Sequence, residues 1–263
     1  MTATAEIEDR LRLARLWARQ GGRMALGAFE SIESEWKNDG GELVTEADRT
    51  IEKELRSKIR NRFPEDAVVG EEFETLSGQN HFRWYLDPID GTAAYSMNLP
   101  IWCVSIGLFH RGSPVAGVLR APFMDEEFYG SKLEGPYKDG HKLKADPDLP
   151  ADWTSESLLC VTSNAHRAYS IDFPGKCRSL GSSAYYLGLV ADGRAVGAHV
   201  GRLHLWDIAG GLGLTSGYST RFVTLAGRSP NWDRLRQGKC SEDPILFTHE
   251  SLVEPLTERI RER

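Results

Sequence analysis

The segment Trp84-Tyr85-Leu86-Asp87-Pro88-Ile89-Asp90-Gly91-Thr92 constrains this chain more than any other stretch. Its apolar start, residues 84–86, predicts a short buried strand. The Asp-Pro pair that follows predicts the end of that strand, because proline cannot donate to a sheet ladder. Gly91 tolerates backbone conformations that other residues resist, and Thr92 is a residue type that caps helices. The sequence therefore predicts a strand, a stiff turn that carries two carboxylates, and a helix start.

The two carboxylates of this turn, Asp87 and Asp90, suggest a chemistry. Close carboxylates repel unless a proton or a cation lies between them, and ligand sets made only of oxygen favour Mg²⁺. The N–H groups at the start of a helix can hold an anion such as phosphate. The combination is typical of a site that handles phosphate, although a plain Asp-Pro turn followed by a capping threonine would also explain these residues.

The composition limits the class of protein. The chain has 263 residues, a formal net charge of −6, 40% hydrophobic and 27% charged residues, as expected for a globular protein. A nucleic-acid partner would require a basic surface, so we expect none. We also expect no membrane partner, since no apolar run is long enough to span a bilayer. Charges throughout Glu6–Arg15 leave no signal-peptide core, and the four cysteines have no metal-type spacing, so the cytoplasm is the expected compartment.

The chain divides at a stretch rich in Asp and Pro, Asp146–Asp152. We expect an N-terminal α+β half, residues 1–145, and a C-terminal α/β half, residues 146–263. The first half is predicted to begin with a helix over Ala5–Ile32, and its apolar strand runs predict an antiparallel sheet flanked by two helices. A last strand, Pro244–Thr248, and a last helix, Glu254–Arg261, are predicted at the end of the chain.

Three further segments carry polar residues at the edges of predicted elements. Thr45 and Asp48 have the spacing of a helix N-cap, Glu71 follows a short strand, and Asp207 precedes an apolar helix as its expected N-cap. Each has a structural explanation by itself, as a cap or as a solvated side chain. A further helix is predicted to open at Ser182.

Taken together, these motifs resemble the inositol monophosphatase family. The resemblance rests on Asp-Pro-Ile-Asp-Gly-Thr at 87–92, Val-Thr-x-x-Asp at 44–48, Gly-Glu-Glu at 70–72 and Trp-Asp-x-Ala at 206–209, and it extends from about Leu43 to Gly217. It implies a layered α/β (α+β) sandwich with the order αβαβα, often assembled as a homodimer. It also implies hydrolysis of a small phosphorylated metabolite with two or three Mg²⁺ ions and inhibition by lithium.

The resemblance also implies roles for individual residues. One Mg²⁺ would be held by Glu71, Asp87 and the Ile89 carbonyl, and a second by Asp87, Asp90 and Asp207. A third, weaker ion would lie near Glu71. The catalytic residues implied in this way are Thr92, Asp48 and Glu71, with Asp48 orienting the Thr92 hydroxyl.

The residues expected to contact the substrate fall into two groups, those near the phosphate and those near the rest of the molecule. Those implied near the phosphate are Asp90, Gly91, Thr92 and Asp207. In inositol-selective members of the family an acidic side chain lies seven positions before the Trp-Asp aspartate, where this chain has Val200. Ser182 and Ser183 could supply polar contacts instead.

An apolar side chain at that position predicts a broad phosphatase that is most like inositol-1-monophosphatase. Histidinol-phosphate phosphatase, fructose-1,6-bisphosphatase and nucleotide 3′-phosphatase stay as alternatives, because the metal core would be the same in each. A regulatory, non-catalytic homologue is the alternative outside enzymes.

Overall fold

A computed structural model describes residues 3–29, 34–37, 42–144 and 153–263. Its helices are α1 (Ala3–Ala28), α2 (Glu46–Arg62), α3 (Thr92–Ser96), α4 (Ala165–Ala168), α5 (Ser183–Ala191), α6 (Leu205–Leu214), α7 (Trp232–Arg236) and α8 (Val253–Thr257). Its strands are β1 (Ser34–Lys37), β2 (Glu42–Thr45), β3 (Ala67–Gly70), β4 (Phe82–Asp90), β5 (Cys103–His110), β6 (Ser113–Ala121), β7 (Glu126–Ser131), β8 (Gly135–Lys138), β9 (His141–Lys142), β10 (Leu158–Val161), β11 (Tyr169–Ile171), β12 (Lys176–Arg178), β13 (Gly197–Val200), β14 (Thr220–Thr224), β15 (Ile245–His249) and β16 (Ile260–Glu262).

The larger sheet has seven strands in the order β3-β4-β5-β6-β7-β8-β9. Strands β4 to β9 pair antiparallel with their neighbours, as predicted, whereas β3 joins β4 in parallel. Both faces of the central strands are apolar, so the sheet is covered on both sides. The smaller sheet has five strands in the order β12-β10-β13-β15-β14.

The helices and sheets form alternating layers. Helices α1 and α2 pack on one face of the seven-stranded sheet through residues such as Trp17, Ile51 and Trp84. Helices α5 and α6 lie between the two sheets, in a second core that includes Leu187, Ile208 and Phe247. A third cluster, which includes residues of α4 and α8, covers the outer face of the five-stranded sheet. The predicted αβαβα sandwich is therefore confirmed.

Strand β4 differs from its prediction. It does not end before the Asp-Pro pair but continues to Asp90, because the pairing with β5 resumes after a register shift between Asp87 and Asp90. The proline lies inside that irregular stretch, where a bulge leaves ladder positions unpaired. As a result, both aspartates belong to the strand.

Several element ends also differ from expectation. Helix α1 ends at Ala28, and residues 30–33 lie outside the described part of the chain. The final helix ends at Thr257 because residues 260–262 pair with β11 as strand β16. The proposed boundary between residues 145 and 146 and the whole polar linker, Asp146–Asp152, fall in residues 145–152, which the structure does not describe. None of the helices in the described ranges combines the length and the apolar character needed to cross a bilayer.

Candidate active site

The end of strand β4 carries a buried carboxylate, Asp87, which is 2% exposed. Its Oδ1 accepts a hydrogen bond of 3.1 Å from the Ile89 amide, so the side chain folds over the bulge that the strand forms there. Across the sheet Asp87 pairs with Ser105 of β5. The bulge thus holds Asp87 firmly while it turns the next residues away from the regular ladder.

The larger sheet also positions the start of helix α6, through Ser105, the cross-strand partner of Asp87. The Ser105 hydroxyl donates to the Trp206 carbonyl at 3.4 Å, and Asp207 Oδ2 accepts from the His204 amide at 2.8 Å. The N-cap of α6 is His204 rather than Asp207, which lies three positions into the helix and closes the cap from there. The N-cap prediction for Asp207 is therefore wrong, although the residue does serve the helix start.

The carboxylates around Asp87 determine its electrostatics. Burial raises the pKa of Asp87 well above its ordinary value, and Glu71, Asp90, Asp207 and Asp48 raise this pKa further, in that order. Each of these predicted site residues is thus an electrostatic neighbour of Asp87. A carboxyl group in such surroundings favours either a proton or a cation.

Asp90 faces the start of helix α5. Its Oδ2 accepts hydrogen bonds from the Ser182 hydroxyl and from the Ala184 amide, the latter at 2.8 Å. Burial raises the pKa of Asp90 to about 6, against the lowering effect of these hydrogen bonds. Asp90 therefore links the seven-stranded sheet to the helix layer between the sheets.

Asp48 stands at the start of helix α2 and reaches Thr92. The capping box predicted from Thr45 and Asp48 is confirmed: Asp48 Oδ2 accepts from the Thr45 amide at 2.8 Å and from the Thr45 hydroxyl. The other oxygen, Oδ1, accepts from the Thr92 hydroxyl at 3.3 Å. The cap and the contact with Thr92 use different oxygens, so both can exist together.

Gly91 rather than Thr92 is the N-cap of helix α3, and Thr92 is its first residue. Gly91 has a φ of 99°, in the left-handed region that disfavours other residues. A side chain there would also collide with the Gly181 carbonyl, since a Cβ would lie 2.7 Å from that oxygen. The Thr92 hydroxyl, freed from capping, lies 3.1 Å from the Ile89 carbonyl and can donate to it or to Asp48, but not to both at once.

The donor set fits a hard divalent cation. Among the residues that the structure describes, no three Asp, Glu, His or Cys side chains are drawn together in a geometry that would hold a metal ion. The raised pKa of the buried Asp87 is the observation that favours a cation here, and oxygen donors favour Mg²⁺ over softer metals.

The residues expected on the substrate side have different surroundings. Ser182 is fully buried; its hydroxyl donates to Asp90 and accepts from the Tyr185 amide at 3.1 Å, so it has no surface to offer a ligand. Ser183, the next residue, is only half-buried. Val200 is 1% exposed and packs in the core between the two sheets. In this structure Val200 therefore presents neither a polar group nor an accessible surface.

Sequence reasoning missed the pair Glu52 and Arg56 on helix α2. Glu52 Oε2 accepts from the Glu72 amide at 2.7 Å, and Oε1 accepts from Arg56 Nε at 2.6 Å. The Arg56 guanidinium donates to the carbonyls of Phe73 and Glu74. The pair thus fastens the loop that carries Glu71. Two opposite charges four residues apart are the only trace of it in the sequence.

Comparison with known proteins finds relatives and structures that match most of the chain. The chain is 30% identical over 213 residues to a fructose-1,6-bisphosphatase/inositol-1-monophosphatase from Aquifex aeolicus, covering 77% of this chain and 80% of the relative. An inositol monophosphatase structure from Anabaena (Nostoc) sp. PCC 7120 superposes with a TM-score of 0.76 at 26% identity, covering 97% of this chain and 96% of that one. An IMPase/NADP phosphatase complexed with Mg²⁺ and phosphate reaches a TM-score of 0.80 over 96% of this chain and 95% of its own, at 18% identity.

The fold and the acidic site define a phosphatase that hydrolyses phosphate monoesters. Within that class, the chain belongs to the inositol monophosphatase family, whose family model matches residues 6–260.

Proposed function

We propose that this protein is a Mg²⁺-dependent phosphomonoesterase of broad specificity that accepts inositol 1-phosphate among other small phosphate esters. The observation that carries the proposal is Asp87, a carboxylate buried at the end of β4 whose pKa is raised by burial and by the carboxylates around it. An electrostatic arrangement of this kind is relieved by a proton or by a cation, and a bound cation in turn attracts phosphate.

The residues that would hold the ions are Glu71, Asp87, the Ile89 carbonyl, Asp90 and Asp207. We propose two or three ions per site, and lithium as an inhibitor that competes for one of them. When bound, the ions would act as Lewis acids and lower the pKa of an attacking water. The amides of Gly91 and Thr92 are the groups of this chain that we assign to the phosphate.

The proton of the attacking water is assigned to Thr92 and Asp48. In this proposal the Thr92 oxygen accepts a hydrogen bond from the water while its own hydrogen is donated to Asp48 Oδ1. The 3.3 Å separation of the two oxygens in the structure supports that relay. The Thr45 amide and hydroxyl keep Asp48 in place, so the relay ends at a fixed carboxylate.

Broad specificity follows from the substrate side of the site. A pocket that hydrogen-bonds a substrate hydroxyl discriminates strongly against ligands that lack it, whereas an apolar position does not. Here the position assigned to that task is a buried valine, Val200, and the Ser182 hydroxyl is engaged with Asp90. Ser183, the residue after Ser182, is only half-buried, so we assign the remaining polar contact with the ligand to its hydroxyl.

The test is kcat/KM on inositol 1-phosphate, histidinol phosphate, fructose 1,6-bisphosphate, a nucleoside 3′-phosphate and glycerol 2-phosphate. We expect inositol 1-phosphate to be hydrolysed with values within about a hundredfold of the others. A larger preference for a single ester would show a dedicated pocket and would replace this proposal with the corresponding specific phosphatase. Hydrolysis of none of them, in a folded protein that still binds Mg²⁺, would favour the regulatory homologue.

We also propose a homodimer in the cytoplasm. Four large apolar side chains are exposed near one aromatic cluster: Met97, Leu99, Phe123 and Met124. Phe29 joins them, since its ring contacts both Phe123 and Tyr95. Exposed apolar patches of this kind are typical of protein interfaces. A Met97→Glu variant that elutes as a monomer where the wild type elutes as a dimer would support the assignment, and a monomeric wild type would overturn it.

The compartment is assigned from the thiols. All four cysteines are free, and Cys103 and Cys160 are buried thiols whose pKa is raised by burial. Free thiols persist in a reducing compartment. Fractionation of the producing cell tests this assignment.

A further inference from the structure

A second cavity, of about 420 Å³, opens at the other end of strand β4. Its walls include Arg83 of β4, His81 before it, Arg111 in the β5–β6 turn and Arg236 of α7. None of the residues that line it is an aspartate or a glutamate. This concentration of positive charge is unexpected in a chain with a net charge of −6.

The sheet register builds the floor of this cavity. Ala67, Arg83 and Phe109 are cross-strand partners on β3, β4 and β5, so they form one row across the sheet. Tyr85 lies two residues further along β4 and therefore on the same face. The rings of Tyr85 and Phe109 meet edge to face with centroids 4.8 Å apart. The floor is thus aromatic and held by the sheet, and Arg83, Arg111 and Arg236 line the cavity beside it.

The turn and helix α7 complete the walls. Arg111 adopts a φ of 52°, which is uncommon for a residue other than glycine, and its amide donates to the His81 carbonyl at 3.0 Å. Arg236 comes from the C-terminal part of the chain and lies near the tip of this turn, with its Nε 4.0 Å from where a Gly112 Cβ would be. The cavity therefore joins segments that are distant in sequence.

The arginine side chains at this cavity have few partners, whereas Asn80 is hydrogen-bonded to Asp66 and to the Phe82 amide. Within the described ranges, Arg83 and Arg111 have no ion pair and no side-chain hydrogen bond, and Arg236 pairs only with Asp233, whose side chain is 85% exposed. Tyr85 is 2% exposed, lines the cavity, and its hydroxyl makes no hydrogen bond with any described residue. The Tyr85 hydroxyl and the guanidinium groups of Arg83 and Arg111 are therefore available to bind an anion in the cavity.

This cavity is separate from the acidic site. Arg83 precedes Asp87 by four residues on the same strand, a separation of roughly 13 Å at the usual rise per residue. None of the carboxylates assigned to the metal ions lines it. A ligand bound there would consequently have no contact with the reacting phosphate.

We propose that this cavity binds a small anion with two phosphate groups. Guanidinium groups hold phosphate through paired N–H donors, and three of them around one cavity match the charge of a diphosphate better than that of a single phosphate. The histidine, the Tyr85 hydroxyl and the aromatic floor supply further contacts for the rest of the ligand. The volume is within the range of ordinary small-molecule pockets.

The test is calorimetric titration of the whole protein with pyrophosphate in excess EDTA. Without a divalent cation the carboxylates around Asp87 repel an anion, so the acidic site does not contribute to binding. We expect binding at one site, weakened at least tenfold in Arg83→Gln, in Arg111→Gln and in Arg236→Gln. Arg167→Gln, which removes the same charge from an exposed position on α4, and Asp87→Asn should each leave the affinity within twofold.

The outcomes separate the possibilities. Retained affinity in the double variant Arg83→Gln/Arg111→Gln, with its fold verified by circular dichroism, would overturn the proposal, as would absence of binding to the wild type. Affinity that rises clearly in Asp87→Asn, where one repelling charge is removed, would place the anion in the acidic site and would also overturn it. Citrate serves as the carboxylate control, and equal affinity for citrate would overturn the assignment to phosphate. None of these results depends on phosphatase activity.

Discussion

The Thr92 hydroxyl oxygen lies 3.3 Å from Asp48 Oδ1, and the other oxygen of the same carboxylate closes the cap of helix α2. One aspartate therefore serves the helix start and the candidate site through separate atoms. The arrangement allows the two roles to be separated by mutation, since the Thr45 hydroxyl contacts Asp48 Oδ2 and not the oxygen that faces Thr92.

Asp48→Ala should lower kcat far more than it raises KM. Asp48 orients Thr92 without touching the substrate, so its loss should act on the transition state. Thr45→Ala is the matched control, because it removes a capping hydroxyl worth about 1 kcal/mol of folding stability and leaves Asp48 Oδ1 in place. The measurements are steady-state kinetics and thermal melting of both variants. If Asp48→Ala loses no kcat, or loses no more kcat than Thr45→Ala does, Asp48 is a helix cap alone.

Glu52→Gln should weaken the response to Mg²⁺. The Glu52 and Arg56 side chains fasten the loop that carries Glu71, and the amide of glutamine holds Arg56 less strongly than a carboxylate does. We expect the Mg²⁺ concentration for half-maximal activity to rise several-fold, with a smaller change in kcat at saturating Mg²⁺. Glu54→Gln, which interrupts the half-exposed pair with Lys58 on the same helix, is the control. Equal Mg²⁺ curves for the two variants would show that Glu52 has no positioning role.

The metal-free protein should lose stability as the pH rises. Asp90 has a folded-state pKa of about 6 against an ordinary 3.8, and that of Asp87 is raised in the same direction. The folded state therefore holds more protons than the unfolded state between about pH 4 and 6, so the free energy of unfolding falls across that window and stays low above it. Asp90 accounts for about 2–3 kcal/mol of this fall in the free energy of unfolding at pH 7.5, and Asp90→Asn should remove that contribution.

Urea unfolding in EDTA at pH 4.5 and pH 7.5 measures this effect. Asp172→Asn, at an exposed position, is the matched control and should behave as the wild type does. Mg²⁺ should restore stability to the wild type at pH 7.5 and restore less to Asp90→Asn. Wild-type stability that rises between these two pH values without metal would contradict the electrostatic description of the site.

Gly213→Ala should destabilise the protein and disturb Asp207. Helix α6 packs so closely on β6 that a Cβ at Gly213 would lie 1.8 Å from the Ala116 carbonyl oxygen. The helix would have to move away from the sheet, and it carries Asp207 at its start. Overpacking of this kind typically destabilises by about 1–3 kcal/mol. Thermal melting and the Mg²⁺ dependence of activity should both change, and an unaltered melting temperature would show that the helix is packed more loosely than described.

The sequence predicted the parts of the structure that depend on neighbouring residues. The capping box of Thr45 and Asp48, the helix opened by Ser182 and the antiparallel order of the larger sheet follow from local spacing and turn signals. The order αβαβα came instead from resemblance to a known family, since no local pattern shows which face of a sheet each helix covers.

The differences arise from contacts between distant residues. Strand β4 continues past Pro88 because β5 supplies a partner on the far side of the bulge. The end of the chain forms strand β16 because β11 is available to pair with it. The fastening of the Glu71 loop by Glu52, and the three arginines around the second cavity, likewise need the folded structure to bring their parts together.

The central claim is that Asp87 and the carboxylates around it hold Mg²⁺ for phosphate-ester hydrolysis. The most direct measurement is the rate of phosphate release from inositol 1-phosphate, across a Mg²⁺ titration, by the wild type, Asp87→Asn and Asp172→Asn. We predict turnover only with Mg²⁺ in the wild type and in Asp172→Asn, and a loss of at least about a hundredfold in kcat for Asp87→Asn at saturating Mg²⁺. Turnover without any divalent cation, or a kcat in Asp87→Asn equal to that of the wild type, would contradict the claim.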